Sequence, residues 1–135
     1  MHNLHPLISI AVKTIPLINN PIYLKSLGIL TYVRECRTIS LRLPRQCGKS
    51  SYIKEYSNPL TDIVLYPGPT AIKDNGGTSS YFQNINDIDN LEYTQYYIIW
   101  LDEFKSGVFE DKKYSSKINS LIRTGNEIVI HLTSR

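Results

Sequence analysis

The chain has 135 residues, 41% hydrophobic and 20% charged, with a formal net charge of +3. That length suits one domain with a real core, and the balanced composition excludes a disordered tail, a collagen-like fibre or a disulfide-dense scaffold. Charge is uneven: residues 1–50 carry Lys13, Lys25, Arg34, Arg37, Arg42, Arg45 and Lys49 against Glu35 alone, which suits a polyanionic partner and equally suits a solvated basic surface.

Residues 1–20 read as a weakly amphipathic lead-in stopped by Asn19-Asn20-Pro21. Its apolar stretch, 7–18, is interrupted by Lys13 and Pro16 and has neither the length of a membrane span nor a small-residue cleavage site. Cys36 and Cys47 lack metal-pair spacing, and His2, His5 and His131 are scattered, so no zinc site is expected. Free thiols fit a reducing compartment, and the expected location is cytoplasmic. The ten tyrosines are expected to bury their rings and keep their hydroxyls at the surface.

Pro21 stands where a helix likes to begin, with Asn20 as its cap. Ile22, Leu24, Leu27, Leu30 and Val33 then recur at helical spacing and predict one helix over 22–34. Residues 38–43 (TISLRL) alternate and are β-branched, as a strand requires. A loop over 44–49 and a short helix over 50–56 follow, closed by Asn58-Pro59. A second strand is predicted at 61–66 (TDIVLY), ended by Pro67-Gly68-Pro69 and a polar loop. Tyr81, Phe82, Ile85, Ile88 and Leu91 have mixed three- and four-residue spacing and predict a helix. The continuous apolar run 96–101 (YYIIWL) predicts a strand buried on both faces. Residues 112–123 are expected to be helical and 127–132 (EIVIHL) to be the fourth strand. This alternation predicts an α/β fold with a mostly parallel sheet covered by helices, with ligands at the C-terminal ends of the strands.

Two segments just after strands carry chemistry. Leu43-Pro44-Arg45-Gln46-Cys47-Gly48-Lys49-Ser50 occupies the frame of G-x-x-x-x-G-K-[ST], with Leu43 where the first glycine would stand. Backbone N–H groups from Arg45, Gln46, Cys47 and Gly48 in the loop, and from Lys49, Ser50 and Ser51 at the helix start, would bind phosphate oxygens. Lys49 would supply a point charge between the outer phosphates, and Ser50 a hydroxyl for Mg²⁺. For this segment alone, a solvated lysine at a helix start is the plain alternative. The second segment is Asp102-Glu103, at the end of the apolar run. Two adjacent carboxylates there are costly unless a cation meets them. Asp102 would hold Mg²⁺ through water, and Glu103 would polarise an attacking water. For the pair alone, the start of a solvated turn is the plain alternative. Thr133, after the last strand, could sense the outer phosphate. A frayed polar end explains Thr133 about as well.

The segments PRQCGKS (44–50), WLDE (100–103) and LTSR (132–135) together resemble the ATPase domain of phage large terminase subunits, motors that drive viral DNA into capsids, and the related helicase-like P-loop ATPases. In that family the first glycine is often missing and an Arg-Gln pair precedes the Gly-Lys, as Leu43 and Arg45-Gln46 do here. The resemblance covers residues 36–135, with 1–35 a helical lead-in. It implies a three-layer P-loop NTPase fold, ATP and Mg²⁺ as ligands, and hydrolysis coupled to DNA. Arg45 would contact the phosphates beside Lys49, and 132–134 would be the coupling segment. Implied partners are DNA, further copies of the chain and other phage or DNA-processing proteins, in the host cytoplasm. Two features depart from the family. Nothing here could form its nuclease domain, and no glutamine motif in 1–35 reads adenine, so ATP over GTP rests on the relatives. The alternative reading is a non-catalytic terminase-like domain that binds nucleotide or a partner and regulates a larger DNA-processing complex. A small-molecule kinase and a DNA-binding module without nucleotide are more distant readings.

Overall fold

The computed structural model describes residues 21–43, 53–55, 57–74, 81–90, 96–105 and 107–134. Pro21 opens helix α1 (Pro21–Leu27) as its sequence position predicts, and α2 (Ile29–Cys36) follows. The single helix expected over 22–34 is therefore two. Gly28 stands between them at φ 84, a left-handed conformation no right-handed helix can contain. Strand β1 (Thr38–Leu43) follows α2 directly. The turn between them is held by the Arg37 amide and the Thr38 hydroxyl, both donating to the Val33 carbonyl at 3.0 and 2.8 Å.

The remaining elements are β2 (Asp62–Tyr66), α3 (Pro69–Asp74), β3 (Phe82–Asn84) with a 3-10 turn (Ile85–Asn90), β4 (Ile98–Asp102), α4 (Lys112–Leu121) and β5 (Ile128–Ser134). Asp111 caps α4, its carboxylate accepting from the Lys113 amide at 3.0 Å. Two departures from the sequence reading occur here. The segment after Pro67-Gly68 is helical from Pro69, where a proline at the first helical position loses no hydrogen bond. The helix expected over 81–91 is instead a short strand and a 3-10 turn. The Val64 amide donates to the Tyr81 carbonyl at 2.8 Å, and Phe82–Asn84 pair in parallel with β2, so hydrogen bonds to a distant strand replace those of a helix.

Among the described residues, five strands form one sheet in the order β1-β5-β4-β2-β3, every neighbouring pair parallel. The fold is α/β with helices against the sheet. Among the described residues its core is two clusters, one per face. The first holds Ile53, Val64, Tyr66, Trp100, Ile130 and Leu132. The second holds Val33 from α2 and Ile118 and Leu121 from α4 against Ile63, Leu65, Ile99, Leu101 and Val129. Burial on both faces is why β2 and β4 read as unbroken apolar runs.

Buried polar groups tie the N-terminal edge of the sheet. Asp62 accepts from Trp100 Nε1 at 3.1 Å and from the Asn58 amide at 2.9 Å, locking β2 to β4. Arg37 donates to the Glu127 and Asn126 carbonyls at 3.2 and 2.9 Å, locking β1 to the start of β5. Among the described residues, no helix is long and apolar enough to cross a membrane.

Candidate functional site at the C-terminal edge of the sheet

In a parallel sheet all strands end on one side, so the residues following them share one edge. Register sets their levels. Leu41 on β1 pairs with Leu132 on β5, and Leu132 pairs with Asp102 on β4. The chain leaves β1 at Leu43, two residues beyond that level, and enters the Gly-Lys-Ser segment. One strand separates β1 from β4, so their tips are about 10 Å apart at the usual spacing.

Side-chain direction narrows the arrangement. Asp102 follows Trp100 by two residues, so alternation puts its carboxylate on the Trp100 face. Ile53, in helical residues 53–55, is fully buried in that same cluster. β1 thus ends at this edge of the sheet, and the helical turn at 53–55 packs on the face that carries Asp102. Arg45, Gln46, Cys47, Gly48, Lys49, Ser50 and Ser51 lie outside the described residues.

Asp102 is completely buried at the end of a strand that is otherwise apolar. Burying a carboxylate is costly without compensation, which marks the position as built for polar company. Glu103 turns out of the sheet and is exposed. Its φ is 69, and it is the one non-glycine with a positive φ among the described residues. Backbone held in that region costs about 1–3 kcal/mol and clusters at functional sites. Beyond it the chain folds back: Phe104 is buried, its ring stacked edge-on to Tyr114 at 5.3 Å, and its carbonyl lies 3.3 Å from His131 Nε2. Pro67 after β2, Glu103, Phe104, Lys105 and Val108 after β4, and Tyr114 of α4 line a cavity of about 380 Å³ on the α4 side of the sheet, within the size range of small-ligand clefts.

Thr133 is buried at the tip of β5, one residue past the partner of Asp102. Alternation turns it to the opposite face, shared with His131 and Val129. The edge thus brings Thr133 level with Glu103 and directs it away from Asp102.

The residue that sequence reasoning missed is Tyr66, at the tip of β2. It is 1% exposed, against the expectation that tyrosine hydroxyls reach the surface, and its hydroxyl faces the Asp102 carboxylate without a well-formed hydrogen bond to any described residue. Burial first, then the negative charge of Asp102, pushes the phenol far above its ordinary value of 10.0. A tyrosine closing an apolar strand directly before Pro-Gly was the available signal, and its neighbour on β4 was not legible.

No group of three or more His, Cys, Asp or Glu side chains among the described residues could cage a metal ion. A single buried carboxylate fits Mg²⁺ as that ion is usually held beside phosphates, by one or two carboxylates with water and phosphate oxygens filling the shell. Compared with protein-family models, curated proteins and solved structures, the chain matches none.

Proposed function

We propose that the chain is a P-loop nucleotide-binding domain that binds ATP with Mg²⁺ and hydrolyses it, coupled to DNA in the manner of terminase- and helicase-like motors. The observation that carries this reading is the buried Asp102, at the same end of the sheet as the exit from β1 and on the face of the helical turn after Gly48-Lys49-Ser50. A triphosphate bound by backbone amides at the tip of β1 would extend towards β4, and two strand spacings, about 10 Å, suit a phosphate tail with its cation. Ser50 and Asp102 would hold Mg²⁺, which would neutralise charge on the outer phosphates. Lys49 and Arg45 would meet the phosphates. Glu103, exposed beside the cavity, would orient and deprotonate water. The strained backbone at Glu103 supports a catalytic carboxylate over a bystander.

Calorimetry of ATP with Mg²⁺ tests the reading, with tight binding expected for wild type and loss of it for Lys49→Ala. Equal heats for the two proteins would remove it. Phosphate release with and without DNA then separates an ATPase from the non-catalytic alternative, a nucleotide-binding regulatory domain. Binding without turnover, with Glu103→Gln indistinguishable from wild type, would favour the latter.

A further inference from the structure

The tip of β2 holds a polar group that the nucleotide reading leaves without a role. Tyr66 comes one residue after Leu65, which is level with Leu101 on β4, so Tyr66 stands beside Asp102. Its side chain belongs to the cluster of Val64 and Trp100, the face to which alternation also assigns Asp102. The ring packs 6.1 Å from that of Phe82, and the position is 1% exposed. Packing explains the ring and leaves the hydroxyl unexplained. The hydroxyl faces the Asp102 carboxylate without a well-formed hydrogen bond, and buried donors left so incompletely satisfied are rare. Phenylalanine would fill the same space without that penalty. The hydroxyl lies at the C-terminal end of the strands, facing the buried Asp102 carboxylate, and not in the interior of the cluster.

Resting on the nucleotide reading, we propose that Tyr66 is a positioning residue of the Asp102 site, its hydroxyl donating to the oxygen shell that Asp102 carries when Mg²⁺ and nucleotide are bound. The phenol needs no proton transfer for this; it remains a neutral donor throughout. Groups of this kind orient a metal's ligands and typically change metal affinity more than they change the fold. Tyr66→Phe removes the donor and keeps the ring that packs on Phe82.

The test is calorimetry of ATP at a series of Mg²⁺ concentrations for wild type, Tyr66→Phe and Asp102→Asn, with thermal melting of each protein without nucleotide. For Tyr66→Phe the Mg²⁺ concentration giving half-maximal effect should rise about 10-fold. Its ATP affinity without Mg²⁺ and its nucleotide-free Tm should equal or exceed the wild-type values. An unchanged Mg²⁺ dependence in Tyr66→Phe, with Asp102→Asn strongly shifted, overturns the role of Tyr66 and leaves the nucleotide reading standing. A loss of ATP affinity that is the same with and without Mg²⁺ also overturns it, because a merely structural side chain behaves that way. Absence of any Mg²⁺-dependent ATP binding in wild type overturns both.

Discussion

Glu103 carries a positive φ that glycine would adopt more readily, and it does so beside a completely buried aspartate. If the side chain were dispensable, Glu103→Gly would be a simple improvement. The substitution should raise stability by about 1 kcal/mol in denaturant titrations, because it relieves left-handed strain. The same variant should lower ATP turnover by about 10²–10⁴, the usual contribution of a positioned general base. A more stable protein with undiminished turnover would assign the strain to the loop alone. Tyr66 gives a pH prediction. Its phenol is raised above 10.0 in the fold by burial and by Asp102. Below pH 10 it is protonated in both folded and unfolded chains and adds no slope. Above pH 10 the unfolded chain releases a proton that the folded chain retains, so stability falls as pH rises. Denaturant midpoints measured from pH 8 to 11 should therefore decline more steeply for wild type than for Tyr66→Phe.

At the scale of elements, the loop between α4 and β5 shows how one side chain sets a strand. Glu127 is 1% exposed, and its carboxylate accepts from the amides of Arg123 at 2.8 Å, Thr124 at 3.1 Å and Gly125 at 2.9 Å, and from the Thr124 hydroxyl at 3.0 Å. Its own carbonyl receives Arg37 from the end of α2. The knot fixes where β5 starts, and hence its register with β1 and β4. Glu127→Ala should cost about 2–3 kcal/mol, since several donors lose their acceptor together. A urea midpoint shifted down with an unchanged m-value would show this. Local patterning explains which elements were legible. The apolar runs of β2 and β4 and the alternation of β1 are properties of single segments, and they lie within a residue or two of the observed strands. The segment 81–91 misled because a strand followed by a 3-10 turn also returns apolar residues every three or four positions, with Phe82, Ile85 and Ile88 buried.

On the scale of the whole molecule, a ligand gripped between two strand tips stabilises only the folded chain. Saturating ATP with Mg²⁺, at about 100 times Kd, should add about 2.7 kcal/mol. For a domain of this size that corresponds to a Tm increase of about 8–15 °C, measurable by calorimetry or dye-free melting. Lys49→Ala should melt like wild type without ligand and gain nothing from it. A large shift that survives this substitution would locate nucleotide binding elsewhere.

The sequence alone determined the parts: an α/β alternation, a Gly-Lys-Ser segment after one strand and an acidic pair after another. Each is encoded by neighbours in the chain, through spacing, β-branching and turn residues. Tertiary structure decided how the parts meet. It inserted β5 between β1 and β4, turned Asp102 and Thr133 to opposite faces and brought Tyr66 beside Asp102. These outcomes depend on hydrogen bonds and packing between segments far apart in sequence, such as Arg37 with the loop before β5. Short-range propensity has no information about such pairings.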